Sequence, residues 1–158
     1  MSIPTFSLVA WSGTGKTTLL EKLLPALKER GLRVAVLKHD GHDFDMDRPG
    51  KDSWRMTQAG ADVSAIVSAS HAAFLENRPL TAEEAAARIR DVDIIITEGF
   101  PSSPWPKIGL ARAATGKGLK PVEGQYDLVL ADGPVDTTAT VLALDDIDGL
   151  AHWLMERI

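Results

Sequence analysis

VAWSGTGKTTLL, residues 9–20, decides the fold. An apolar run over residues 5–10 stops at a turn of small residues holding Gly13, Gly15 and Lys16. Thr17 and Thr18 follow, and then Leu19, Leu20, Leu23, Leu24 and Leu27 recur at spacings of three and four, which predicts an amphipathic helix from Lys16 to Glu29. A polyphosphate needs backbone N–H groups converging on it, glycines that let the chain come close, a helix N-terminus and one long cation. Ser12, Gly13, Thr14, Gly15, Lys16, Thr17 and Thr18 supply that set, with a strand before and a helix after. Lys16 is expected to reach the outer phosphates and the Thr17 hydroxyl to hold Mg²⁺. Ala10 stands where the general pattern has glycine, a mild departure, because that position only has to leave the strand.

Working outward, Pro25 is expected to kink the helix and Gly31 to stop it. Residues 34–37 read as a second strand, and the connection is long enough for a parallel crossover. A charged loop spans 38–51, after which Asp52 or Ser53 is expected to cap a short helix ending at Gly60. Val63–Val67 and residues 72–75 read as strands. Thr81 with Glu84 forms a capping-box pattern opening a helix to about Arg90. Residues 93–98 are a continuous apolar run ending in Glu98, the signature of a strand buried on both faces. Residues 107–112, 127–131 and 141–144 are further strands, the first a candidate edge strand. A last helix follows Asp146, with Ile147, Leu150, Leu154 and Ile158 along one side. Strands alternating with helices predict an α/β fold of the P-loop NTPase type, three-layer α/β/α with a largely parallel sheet, and a single domain over 1–158.

The chain has 158 residues, 44% hydrophobic and 25% charged, with no cysteine. Disulfides and thiolate metal sites are therefore excluded, and a reducing compartment, the cytoplasm, is expected. The net charge of −5 argues against a nucleic-acid partner. No apolar run approaches membrane-spanning length, so no membrane partner is expected.

Beyond the glycine turn, Glu98 falls at the carboxyl edge of the sheet, where an acid can orient Mg²⁺ or its water. The loop KHDGHDFDMDRPGKDS (38–53) also starts at that edge. Its alternating Asp43, Asp45 and Asp47 do not make a calcium loop, since Arg48 holds the glycine position and Trp54 the final acid position. His39 and His42 are too few for zinc. Asp45 or Asp47 is left as a water-positioning or outer-sphere Mg²⁺ residue. Trp105 is expected to fold back over its own core, and His71 and His152 to be packing or surface residues.

These features together resemble the MobB family of molybdopterin-guanine dinucleotide biosynthesis adapters. The resemblance is carried by AWSGTGKTTLL (10–20), Lys38 and His39, His42, Asp45, Asp47, PGKDS (49–53), AGA (59–61), EGF (98–100), Lys107 and Ile108, and DGLA (148–151). The PGKDS segment after an aspartate loop is its more specific part, and alanine at position 10 is usual in that family. The resemblance implies a Mg²⁺-dependent GTP-binding domain with weak GTPase activity that forms homodimers. It also implies a molybdenum cofactor guanylyltransferase as the partner that attaches GMP to molybdopterin, with molybdopterin itself a further candidate ligand. Carried over by position, Ser12 to Thr18 form the GTP phosphate site and Thr17 with Glu98 the metal side; with the reading of the aspartate loop, Lys16, Glu98 and Asp45 are the expected catalytic residues. Two stretches depart from the family pattern: Asp40-Gly41-His42 where Thr-His-His is often found, and Pro101 where a lysine often follows, leaving Lys107 as the nearest substitute.

No Asn-Lys-x-Asp guanine reader is present; Asp132, after the strand at 127–131, is the expected carboxylate for the base. Two other readings share the same turn. One is a small-molecule kinase, for which Arg48, Lys51 and Arg55 are the only lid cations. The other is a protein that binds nucleotide only to hold a dimer together.

Overall fold

The computed structural model describes residues 2–158. In chain order the elements are β1 (Thr5–Val9), α1 (Lys16–Glu29), β2 (Val34–Lys38), α2 (Asp52–Gln58), β3 (Val63–Val67), β4 (Ala72–Glu76) and α3 (Ala82–Arg88). Then come β5 (Ile94–Glu98), β6 (Lys107–Ala111), a 3-10 turn at Ala113–Thr115, β7 (Leu128–Ala131), β8 (Thr140–Ala143) and α4 (Ile147–Met155). The chain divides into two compact units, one made of residues up to His39 with Ala82–Ile158, the other of Asp40–Thr81.

The larger unit is built on a 6-stranded sheet in the order β2-β5-β1-β6-β7-β8. Every pairing in it is parallel. The continuous apolar runs of β5 and β7 suit this, because strands covered on both faces have no polar side to present. Phe6 and Leu8 of β1 and Ile94 and Ile96 of β5 share a face with Ile108 and Leu128, and α1 and α4 cover it through Leu23, Leu27, Leu150 and Leu154. The opposite face carries a second cluster of Val9, Ala111, Tyr126 and Val129, with Leu119 and Val122 of the irregular stretch after β6 packed on it. Buried hydroxyls on β1 and β5 satisfy one another there: Thr97 donates to Ser7 at 3.0 Å, and Ser7 pairs with Ser103 at 2.8 Å.

The helix α1 continues through Pro25 and ends as Gly31, with φ +83°, donates to the Lys28 carbonyl at 2.9 Å. Asp146 caps α4 as its sequence position suggests, accepting from the Gly149 N–H at 2.9 Å. Four expectations are corrected. Residues 107–112 do not form an edge: β6 lies between β1 and β7 and is buried throughout, and the edges are β2 and β8. Its Lys107 is 7% exposed and spends its ammonium on the Ser103 and Trp105 carbonyls, so it is no substitute for an exposed lysine. Neither Asp52 nor Ser53 caps α2, whose N-cap is Lys51 without a side-chain bond, and Ile158 lies beyond α4, largely exposed.

The smaller unit holds α2 and an antiparallel β3–β4 hairpin, with Thr57 on the helix hydrogen-bonded to Ser64 on the strand at 2.8 Å. None of its residues is buried, and Phe44, Met46, Met56, Val67 and Phe74 are largely exposed. No helix among the described residues is long and apolar enough to cross a membrane.

Candidate functional site

Because β1 is central, its carboxyl end opens near the middle of the sheet edge, and the glycine turn starts there. Gly13 and Gly15 both take positive φ, +79° and +106°, conformations that a Cβ would oppose. Gly15 is the N-cap of α1, so no side chain caps the helix, and no acid occupies its first turn. The first N–H groups of a helix have no intrahelical acceptor, and they carry the positive end of its dipole. The Thr14 N–H turns back to the Trp11 carbonyl at 3.3 Å, while the Thr14 hydroxyl and the Trp11 indole N–H are buried without a partner. Ser12, Thr17 and Thr18 are exposed on the turn and first helical residues.

Lys16 reaches back over the turn and donates to the Ala10 carbonyl at 3.0 Å and the Trp11 carbonyl at 3.4 Å. Burial lowers its pKa from the ordinary lysine value; the Glu98 carboxylate pulls the other way, and Lys120 and Lys38 add to the lowering. The structure thus brings Lys16 and Glu98 into one electrostatic neighbourhood. Glu98 ends β5 opposite Leu8 of β1 and Lys38 of β2. Gly99 follows at φ +102° and donates to the Leu8 carbonyl at 2.9 Å, which turns the chain sharply away. Phe100 then sits 5.0 Å from the His39 ring and 6.4 Å from Trp105, so Trp105 folds back on its own loop.

Two cations beside the turn escape a reading of the sequence. Arg112, immediately after β6, donates from Nε to the Thr14 carbonyl at 3.2 Å. Its Nη2 lies 3.2 Å from where a Cβ on Gly15 would sit. The Lys120 ammonium lies 5.7 Å from the Trp11 ring centre. The signal for Arg112 was available: a charged residue that ends a buried strand falls at the same sheet edge as Glu98.

A cleft of about 380 Å³ opens between α1 and the carboxyl ends of β6, β7 and β8, touching Gly15, Thr18, Lys22, Arg112, Asp132 and Asp145. Asp132 sits in its wall, but its Oδ1 accepts from the Ala113 N–H at 2.6 Å and fastens the 3-10 turn. Asp45 belongs to the smaller unit, where its Oδ1 accepts from the Asp47 N–H at 3.0 Å. Asp47 in turn accepts from the Arg48 N–H at 2.8 Å and the Ser53 hydroxyl at 3.0 Å, so these acids organise their own loop. His71 and His152 are exposed. Among the described residues no group of three or more His, Asp or Glu side chains is placed to hold a metal ion.

Comparison with known proteins gives one consistent result. The family model for molybdopterin guanine dinucleotide synthesis protein B, MobB, matches residues 5–133. A molybdopterin-guanine dinucleotide biosynthesis adapter protein of Escherichia coli is 39% identical over 164 residues, covering 98% of this chain and 93% of that protein. The protein of the same name from Haemophilus influenzae is 34% identical over 156 residues, covering 96% and 88%. The crystal structure of Bacillus subtilis MobB superposes with a TM-score of 0.77 at 25% identity, over 99% of this chain and 98% of that one. The parallel sheet with flanking helices is thus the P-loop NTPase-type α/β fold, and the chain belongs to the MobB family of molybdopterin-guanine dinucleotide biosynthesis adapter proteins.

Proposed function

We propose that this chain is a GTP-binding adapter that assists a partner guanylyltransferase in attaching GMP to molybdopterin, and that it hydrolyses GTP weakly with Mg²⁺. The observation that carries the nucleotide reading is the uncapped N-terminus of α1 with Lys16 folded over it. That arrangement fits a triphosphate: the helix offers unpaired donors, two glycines leave room for a close approach, and the ammonium is already held at the turn. Lys16 would neutralise the outer phosphates, and Arg112 and Lys120 add positive charge to the same neighbourhood.

Thr17 and Glu98 would hold Mg²⁺ on one side. Mg²⁺ keeps water and substrate oxygens as most of its ligands, so a hydroxyl and one carboxylate suffice from the protein. Bound there, the ion would screen charge on the phosphate oxygens. Glu98 would orient a ligand water, and the parallel strands on both sides of β5 fix its backbone.

The homodimer reading draws on the smaller unit. Val63, Ala65 and Val67 of β3 share a face with Ala72, Phe74 and Glu76 of β4, and the five apolar residues among them are exposed. An apolar hairpin face of that kind is suited to covering by a second copy.

The test is a competition titration of GTP against ATP with Mg²⁺ on the purified chain, repeated on Lys16→Ala and Glu98→Gln. GTP preference, loss of triphosphate binding in Lys16→Ala and a weakened Mg²⁺ dependence in Glu98→Gln are the expected results. Unchanged affinity in Lys16→Ala would remove the phosphate site, and ATP preference would move the kinase reading ahead of the adapter.

A further inference from the structure

The structure assigns the base-reading residue of the proposed nucleotide site: we infer that the cleft beside α1 receives the nucleoside half of a guanine nucleotide and that Asp145 reads its base. The inference rests on the nucleotide reading above and extends it to specificity.

The cleft is continuous with the glycine turn, since Gly15 and Thr18 belong to both. At about 380 Å³ it falls within the size range of small-ligand sites, roughly 300–1,000 Å³. Leu110, Ala131, Ala143, Leu144 and Ile147 line it with aliphatic surface, which suits the flat face of a purine. What remains is which polar group meets the edge of the ring.

Three acids end β7 and β8 or open α4, and two are already engaged. Asp132 gives one oxygen to the Ala113 N–H at 2.6 Å, and Asp146 caps α4 through the Gly149 N–H at 2.9 Å. Asp145 lines the mouth of the cleft as an exposed residue, and among the described residues its carboxylate has neither a hydrogen bond nor an ion pair, so both oxygens are free for a ligand. Its backbone is fixed all the same. The Asp145 carbonyl accepts from the Ile147 N–H at 2.9 Å, and the next N–H, of Asp146, returns to the Ala143 carbonyl at 3.0 Å. The carboxylate is therefore presented from a fixed turn.

An ionised carboxylate only accepts, with two oxygens side by side. Guanine offers two parallel donors, N1–H and the 2-amino group; adenine offers a lone pair at N1 and nothing at C2. Adenine would set the carboxylate against the N1 lone pair with no donor to accept from, so the pairing that guanine makes is lost. Xanthine replaces the 2-amino group with an oxygen, which an amide side chain can meet but a carboxylate cannot.

The experiment measures binding of GTP, ITP, XTP and ATP with Mg²⁺ by calorimetry to the full chain, to Asp145→Asn, to Asp132→Asn and to Lys16→Ala. The wild type is expected to bind ITP about tenfold more weakly than GTP, since ITP lacks only the 2-amino group. Asp145→Asn is expected to lose GTP affinity about 10- to 100-fold and to gain XTP, whereas Asp132→Asn keeps guanine over xanthine. Equal wild-type affinity for GTP and ITP overturns the assignment without relying on any variant. So does an Asp145→Asn protein that keeps its GTP preference while Lys16→Ala abolishes binding, and that result leaves the phosphate site standing. An exchange of preference in Asp132→Asn places the reader there instead. A wild type that binds none of the four removes the nucleotide reading and this inference together.

Discussion

Gly15 shows how much of the site is decided by single residues. Its φ of +106° is open to glycine and strained for any side chain, and a Cβ would also press on Arg112 Nη2 at 3.2 Å. Gly15→Ala is expected to destabilise the fold by about 1–2 kcal/mol from backbone strain and to displace the guanidinium. Differential scanning calorimetry should show a melting temperature lower by about 2–8 °C, and an unchanged value would mean the turn relaxes freely. At this scale the glycine turn was legible because Gly13, Gly15, Lys16 and Thr17 are neighbours in sequence, and Glu98 because it ends a run of isoleucines. For Arg112 only the place at the same sheet edge was legible; its contact was not, because its partner Thr14 is 98 positions away. Asp132 shows the same limit from the other side. Its position at a strand end is visible, but its commitment to Ala113, 19 positions earlier, is not.

Among the elements, strands and helices were legible from apolar periodicity, down to the three-isoleucine run that becomes β5. Their order across the sheet was not. A run such as KIGLA reads the same at an edge as in the interior, and only pairing on both sides separates β6 from the edge strands β2 and β8. The irregular stretch after β6 seals one face of the sheet by placing Leu119 and Val122 against the cluster of Tyr126 and Val129. Tyr126 reports on that seal. Its hydroxyl donates to the Lys120 carbonyl at 2.6 Å, and burial raises its pKa to about 12. A raised pKa means stability that is complete below the unfolded tyrosine value of 10.0 and is lost as pH rises through the folded one. Since the chain has 1 tyrosine, tyrosinate absorbance gives a direct titration. The midpoint is expected near 12 in the folded protein and near 10 in urea, with melting temperature falling between those two pH values. A folded midpoint near 10 would show the segment open to water.

At the scale of the whole molecule, the two units differ in how they meet the requirement of a core. The larger one buries Leu27, Leu128 and Leu154 completely, and truncating any of these to alanine should cost about 2–5 kcal/mol. The smaller one has no residue buried to that degree, so its hairpin lacks a closed core of its own, and an isolated two-stranded hairpin is marginal in water. Its Val67 and Phe74, each 73% exposed, lie on the face that the proposed second copy would cover. Charge at that face should separate assembly from folding. Phe74→Glu removes an exposed apolar ring from the hairpin and none from the sheet's core, so it should sediment at the mass of one chain where the wild type sediments at two. Its sheet should keep its cooperative unfolding, and only the wild type should show a melting temperature that rises with protein concentration, as mass action requires of a dimer. Equilibrium sedimentation and thermal scans at two concentrations decide it. A wild type that sediments as one chain, or a Phe74→Glu protein that still sediments as two, would take the hairpin face out of the interface and leave its exposed apolar residues without that account.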